Sequence, residues 1–173
     1  DVICLLYTGG MIMNDLVDSG RDAARNPRRP LPSGRIRPSS AFWLCILHMS
    51  AGLLAASQAG RGIDALFVAG LLLIFIGFYN LLTKDRAYIG NVTMGMCRAL
   101  NALLGMSPFL YAMQNPATKS YLQPLFVPVG MGLYVFLITA ISQMEDKPGR
   151  KNLFALEVAA CLAVPWLSLF MMN

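Results

Sequence analysis

The sequence predicts an all-α protein, a polytopic bundle of transmembrane helices. Of its 173 residues, 56% are hydrophobic and only 13% are charged, which is about half the charged fraction of an ordinary soluble domain. Apolar segments of roughly 20 residues, the length that crosses the hydrocarbon core of a bilayer, recur along the whole chain. The basic residues also alternate between rich and poor loops. These three observations favour a chain whose surface faces lipid.

Five segments are long and apolar enough to span a membrane, and a sixth is partial. The complete segments are residues 41–58, 63–82, 92–113, 121–142 and 153–172, and residues 1–13 resemble the end of a further span. A core helix of a soluble protein would be shorter and would carry a polar face. We therefore expect about six spans. Because the chain opens at Asp1 inside an apolar segment and shows no signal peptide, we also expect an upstream helix to be missing.

The charged residues lie mostly in alternate loops. Eleven of the fourteen Lys and Arg residues fall in the loops before the spans at 41–58, 92–113 and 153–172, and two fall in the intervening loops. The positive-inside rule places the rich loops in the cytoplasm. Because membrane orientation explains the net charge of +5, we predict no nucleic-acid partner. Six of the nine acidic residues share the cytoplasmic side: Asp15, Asp18, Asp22, Asp85, Glu145 and Asp146.

An acidic cluster follows the first apolar segment. Asp15, Asp18 and Asp22 are spaced i, i+3 and i+7, which puts them within about 60° of one another on a helix face, where like charges repel. Mg²⁺ removes that conflict, because it prefers oxygen ligands and commonly links one or two carboxylates to the phosphates of a substrate. The arginines just downstream suit the same ligand, since guanidinium groups bind phosphate bidentately. The segment is predicted to bind a diphosphate; simple surface ion pairs, worth ~0–1 kcal/mol each, are the alternative.

The same segment resembles a family signature. The stretch "NDLVDSGRD", which begins at Asn14, is followed by "RRPLPSG", which ends at Gly34. Together they are similar to the N-D-x-x-D-x-x-x-D and R-P-L-P-S-G motifs of the UbiA-type intramembrane prenyltransferases. The resemblance implies a bundle of nine spans, of which this chain would hold the second to the seventh. It also implies that residues 1–173 form a single transmembrane prenyltransferase domain that is truncated at both ends.

The resemblance further implies an activity and its residues. Such an enzyme uses Mg²⁺ to transfer a prenyl group from an allylic prenyl diphosphate to an aromatic or other small nucleophile, at the cytoplasmic face of the lipid bilayer. The three aspartates of the acidic cluster would be the catalytic metal ligands. The adjacent substrate-binding residues would be Asn14, Arg28 and Arg29.

Two later stretches are similar to further family motifs. "YNLLTKD" carries Tyr79 and Lys84, as in the family's Tyr-x-x-x-Lys but one residue longer, and both would bind the substrate, Lys84 through the diphosphate. "ISQMEDKPGRKNL" lies where the family has a second acidic motif; Glu145 and Asp146 would hold a second Mg²⁺, and Lys151 would bind the substrate. Adjacent acids here replace two aspartates four residues apart, which suggests a divergent, EboC-like branch. Because adjacent helical residues diverge by about 100°, we expect Asp146 to face the first cluster.

Two polar residues lie within the apolar segment 92–113. Arg98 and Asn101 are spaced i and i+3, on one helix face. An Arg inside a span costs at least ~2.5 kcal/mol, so such residues normally face a bundle interior or a polar cavity. Snorkelling to the headgroups is the alternative for Arg98, but it is not open to the short side chain of Asn101. We predict that both residues face the substrate pocket.

Two other functions remain open from the sequence. A CDP-alcohol phosphatidyltransferase also places aspartates and an Ala-Arg pair at an inner helix end. However, "DLVDSGRDAAR" displaces the glycine by one residue, and no G-x-x-x-D-x-x-x-D follows. A transporter or structural membrane protein would instead carry polar residues near the bilayer midplane, and apart from Asn101 the spans lack them.

Overall fold

In a computed structural model, the chain is described over residues 1–59, 63–86, 88–106, 125–145, 158–160 and 163–164. Within these ranges no β-strand occurs, so the predicted all-α class is confirmed. A π-helical turn, Tyr79–Thr83, directly follows the α-helix Ile63–Phe78. The long α-helices of the described part are α1 Val2–Arg25, α2 Pro38–Ala59, α3 Ile63–Phe78, α4 Ile89–Gly105 and α5 Phe126–Glu145.

In the described part of the chain, two helical segments have the length and apolar character of a membrane span. They are Pro38–Gln58 and Ala65–Thr83, which correspond to the predicted spans 41–58 and 63–82. α5 contains a shorter apolar stretch, Phe126–Ser142, and α4 covers the first part of the predicted span 92–113. The predicted span 153–172 lies almost wholly outside the described residues. The total of six spans therefore stays a prediction.

The chain divides into two compact units, Asp1–Leu81 and Leu82–Asn173. In the first unit, α1 and α2 form an antiparallel hairpin with very close contacts. A Cβ atom on Gly52 would lie 2.5 Å from Cδ2 of the fully buried Leu6, and one on Gly9 would lie 3.0 Å from Cγ of Met49. The Cys45 thiol donates to the Gly9 carbonyl over 3.4 Å. This hairpin brings the acidic end of α1 beside the beginning of α2.

In the second unit, α4 and α5 touch through two glycines. A Cβ atom on Gly95 would lie 2.7 Å from the carbonyl oxygen of Gly132, and one on Gly132 would lie 2.9 Å from the carbonyl oxygen of Gly95. Lipid supplies no hydrophobic force between membrane helices, so small residues that let backbones approach are a main source of packing energy. The Gly95–Gly132 contact therefore sets the distance between α4 and α5.

A tight corner joins the π-helical turn to α4. A Cβ atom on Gly90 would lie 2.7 Å from the carbonyl oxygen of Thr83, and the buried hydroxyls of Thr83 and Thr93 are hydrogen-bonded at 2.7 Å. Tyr88, which precedes α4, has a φ angle of +60°, a conformation that strains a bulky residue. The surrounding contacts hold this strained corner in place.

Candidate functional site

The acidic cluster lies in the C-terminal half of α1, on a helix that continues to Arg25. Its three carboxylates differ in exposure: 52% of the Asp15 side chain is accessible, but only 20% of Asp18 and 14% of Asp22. A largely covered carboxylate is costly unless a cation or hydrogen-bond donors compensate it. Asp22 therefore needs a partner more than the other two do.

Arg29 is that partner. Its Nη1 atom donates to Oδ2 of Asp22 over 2.7 Å and to Oδ1 of Asp15 over 3.4 Å. We call this three-residue arrangement the arginine bridge. Asp18 forms a separate ion pair, with Nη2 of Arg21 at 3.3 Å. The sequence signals the Asp18–Arg21 pair through its i, i+3 spacing, but no local pattern predicts that Arg29 returns to α1.

A loop of consecutive turns positions Arg29. The Arg29 N–H donates to the carbonyl of Asn26 over 3.0 Å, and the Arg29 carbonyl accepts from the Ser33 N–H over 2.9 Å. Gly34 donates to the carbonyl of Leu31 over 3.1 Å and has a φ angle of +72°, a left-handed conformation that glycine adopts without strain. This conformation explains the glycine that ends the RPLPSG motif. The loop is therefore a folded support for Arg29.

A pocket of about 160 Å³ opens beside the arginine bridge. Asp15, Asp22 and Arg29 form its charged wall. Mostly apolar residues from α1, the loop and α2 complete the lining: Ile12, Pro30, Leu31, Pro32, Ile36, Ser40, Ala41 and Leu44. Charged groups thus border an apolar chamber, which suits a ligand with an anionic head and a hydrocarbon tail.

The oxygen donors at the bridge fit Mg²⁺. Among the described residues, no three His, Cys, Asp or Glu side chains are arranged to hold a metal ion unaided. Mg²⁺ does not need such a cage, because it usually binds one or two carboxylates and completes its shell with water and substrate phosphates. Asp15 and Asp22 already converge on one cationic group, the Arg29 guanidinium. The binding of one ion by all three aspartates stays a prediction.

Asn14 and Arg28 flank the arginine bridge. Asn14 is half-buried on α1, whereas Arg28 is exposed in the loop one residue before Arg29. No hydrogen bond or ion pair joins the Arg28 side chain to another described residue. Arg28 therefore offers a guanidinium group that is open to an anionic ligand.

The π-helical turn accounts for an irregular motif spacing. Tyr79 begins this turn, and Lys84 follows directly after it. Because a π turn holds one residue more than an α turn, the extra residue between Tyr79 and Lys84 is taken up within the helix. The sequence shows only that the spacing is longer. Lys84 belongs to the second unit, and its position relative to the arginine bridge stays a prediction.

The remaining predicted site residues also belong to the second unit. Arg98 and Asn101 are half-buried on α4, and Oδ1 of Asn101 is buried with no hydrogen-bond partner among the described residues. Glu145 is the last residue of α5. Asp146 and Lys151 lie outside the described residues. The second metal site therefore stays a prediction.

Sequence patterns do not single out Asn80, although its amide is one of the most buried polar groups. Only 3% of Asn80 is exposed. Its Nδ2 donates to the carbonyl of Ile76 over 2.9 Å, whereas Oδ1 has no partner among the residues described. The π-helical turn disturbs the regular α-helical hydrogen bonds at this point, which explains why a side-chain amide covers a backbone carbonyl. A lone Asn in "FIGFYNLL" is the only sequence signal.

Comparison with known proteins identifies the family of this chain. The sequence model of the UbiA prenyltransferase family matches residues 2–171. The chain belongs to the UbiA prenyltransferase family. The predicted resemblance to the UbiA-type prenyltransferases is thus confirmed, and the phosphatidyltransferase and transporter alternatives are set aside. UbiA proteins are integral membrane proteins, in accord with the two long apolar helical segments.

Several relatives of this UbiA chain are named digeranylgeranylglyceryl phosphate synthase. The protein from Sulfurisphaera tokodaii is 30% identical over 86% of this chain and 50% of its own length. The protein from Methanopyrus kandleri is 32% identical over 96% of this chain and 65% of its own length. The chain thus spans between half and two thirds of these relatives. No solved structure matches it significantly, and the EboC-like placement stays a prediction.

Proposed function

We propose that this UbiA-family chain carries the donor site of an Mg²⁺-dependent prenyltransferase, which works on an allylic prenyl diphosphate at the cytoplasmic membrane face. The observation that carries the proposal is the arginine bridge beside its apolar pocket. A diphosphate requires cationic partners, and an isoprenoid tail requires apolar surroundings. Residues 12–44 provide both within one helical hairpin.

Each residue of this site has a task in the proposed reaction. Asp15, Asp18 and Asp22 would hold the metal ion, and Arg28 and Arg29 would bind phosphate oxygens. Bound Mg²⁺ supplies the positive charge that stabilises the departing diphosphate. The C–O bond at the allylic carbon breaks, and its electron pair leaves with the diphosphate. The acceptor nucleophile then bonds to that carbon and releases its proton, while the apolar lining excludes water that would capture the cation.

We propose a glyceryl phosphate as the acceptor class. The relatives' names describe a glyceryl phosphate that carries two geranylgeranyl groups. A hydroxyl group of a glyceryl phosphate is a suitable nucleophile for an allylic cation. Its phosphate would also find cationic partners on the arginine-rich cytoplasmic side.

Transfer assays test the proposed reaction. The full-length protein in detergent is incubated with labelled prenyl diphosphates of several lengths, with Mg²⁺ or with EDTA. The acceptor is either a glyceryl phosphate with one geranylgeranyl group or a hydroxybenzoate. We expect labelled product only with Mg²⁺ and the glyceryl phosphate. Product from the aromatic acceptor alone would overturn the acceptor class, and the absence of product from every pair would overturn the proposed function.

The proposed orientation in the membrane makes a separate prediction. In a variant without the four native cysteines, Ser33→Cys and Gly149→Cys should react with a membrane-impermeant thiol reagent from the cytoplasmic side. Ser120→Cys should react only from the opposite side. The positive-inside rule is the reason, because the basic residues concentrate in the loops that contain Ser33 and Gly149. Labelling of Ser33→Cys and Ser120→Cys from the same side would contradict the predicted spans.

A further inference from the structure

We propose that Arg29 takes the cation position between Asp15 and Asp22 while no metal is bound, and that it passes to the phosphate when Mg²⁺ and the diphosphate enter. Arg29 would thus act twice, first as a substitute for the metal and then as a substrate-binding residue. This inference rests on the proposed function, because it concerns the same site. It adds an exchange of partners that the sequence motif does not indicate.

The burial of Asp22 explains why a substitute cation is needed. Only 14% of its side chain is exposed, and Asp15 adds a second negative charge on the same helix face. A covered carboxylate without a partner destabilises the folded chain. Arg29 removes this penalty at a distance of 2.7 Å from Asp22. The site can therefore stay folded while it holds no metal ion.

The geometry makes the arginine and the metal mutually exclusive. One nitrogen atom, Nη1 of Arg29, lies within 3.4 Å of carboxylate oxygens from both Asp15 and Asp22. Mg²⁺ holds its oxygen ligands at about 2.0–2.1 Å. An ion bound through the same two oxygens, Oδ1 of Asp15 and Oδ2 of Asp22, would fill the space that Nη1 occupies. Arg29 must therefore leave these two oxygens before both can bind the ion.

The same loop gives Arg29 a new partner after the exchange. Its side chain is 46% exposed and lines the pocket beside the bridge. A diphosphate in this pocket would present anionic oxygens that guanidinium binds well. After the exchange, both carboxylates would be paired with Mg²⁺, and Arg29 would be paired with the diphosphate. The exchange therefore leaves no charge at the site without a partner.

Metal binding in the absence of substrate tests the exchange. Mn²⁺, used as a spectroscopic probe in place of Mg²⁺, is titrated into the full-length wild-type protein, R29Q and R28Q, and free Mn²⁺ is measured by electron paramagnetic resonance. R29Q should bind Mn²⁺ roughly three- to tenfold more tightly than the wild type, because a competing cation is gone. R28Q makes the same change of charge one residue away and should match the wild type. Equal or weaker binding by R29Q would overturn the exchange.

A second measurement separates the exchange from a merely structural role. At saturating Mn²⁺, R29Q should bind inorganic diphosphate roughly tenfold more weakly than the wild type, since it lacks a bidentate phosphate contact. Tighter metal binding together with weaker diphosphate binding is the expected signature. A residue that only supported the loop would weaken both when replaced, and that result would also overturn the proposal.

If R29Q fails to fold, R29M replaces it, because methionine keeps an unbranched side chain but removes the positive charge. R29M should also bind Mn²⁺ more tightly than the wild type, and unchanged affinity would overturn the exchange. The proposed function is judged separately, by prenyl transfer in the wild type. If the wild type shows Mg²⁺-dependent transfer but both Arg29 variants keep the Mn²⁺ affinity of the wild type, only the proposed exchange is overturned. Absence of transfer would remove the proposed function.

Discussion

Asp18→Asn should lower the rate of prenyl transfer by at least about 100-fold, since loss of groups that merely orient metal ligands already costs 10- to 100-fold. Asparagine keeps the size and the helical position of the side chain but removes the negative charge that holds a metal ion. The ion pair with Arg21 is partly exposed, so its loss should affect folding little. The measurement is kcat at saturating Mg²⁺, with the helix content checked by circular dichroism.

Asp64→Asn is the matched control for this prediction. It makes the same chemical change near the start of α3, at the end of the first unit opposite to the acidic cluster. It should retain wild-type turnover. Asp18 is a better target than Asp22, because loss of Asp22 would also release Arg29 from α1. Full activity of Asp18→Asn at saturating Mg²⁺ would contradict the assignment of Asp18 to the metal.

Gly95→Ala should destabilise the second unit by about 1–3 kcal/mol, the usual cost of overpacking a tight contact. The added Cβ atom would meet the Gly132 carbonyl oxygen at 2.7 Å. This neighbour is backbone, so it cannot turn away as a flexible side chain could. The expected result is a lower midpoint of thermal unfolding in detergent, as α4 and α5 are forced apart.

Gly77→Ala supplies the comparison for Gly95→Ala. Both glycines lie inside helices, but a Cβ atom on Gly77 would meet no atom of the described residues within 4 Å. Gly77→Ala should therefore be neutral or gain up to ~1 kcal/mol from the higher helix propensity of alanine. Equal unfolding midpoints for the two variants would show that the Gly95–Gly132 contact does not limit stability.

The sequence predicts the helices of this protein better than their contacts. Long apolar runs mark the spans at 41–58 and 63–82, because hydrophobicity and length together decide whether a helix can cross a bilayer. The i, i+3, i+7 spacing of the acidic cluster also survives in the structure, since it depends only on helix geometry. Both features are local. They do not depend on which helices pack against each other.

Such local patterns do not predict contacts between residues that are far apart in the sequence. Arg29 reaches Asp22 because several loop turns return the chain to α1, and no periodicity describes an irregular loop. The sequence therefore predicts which residue types gather near the site but not that one arginine lies between two carboxylates. The Gly95–Gly132 contact is similar, because it depends on how two helices cross. The π-helical turn is visible in the sequence only as one extra residue.

The arginine bridge has unequal halves, and ionic strength should act on them differently. The outer half joins Arg29 to the exposed Asp15 at 3.4 Å, whereas the inner half joins it to the covered Asp22 at 2.7 Å. The Debye length falls from about 8 Å at physiological ionic strength to about 3 Å at 1 M, and covered pairs are screened far less than exposed ones. Concentrated salt should therefore loosen the outer half first. The Asp15 carboxylate would then be accessible to a cation from solution, while the Arg29–Asp22 ion pair still holds the loop against α1.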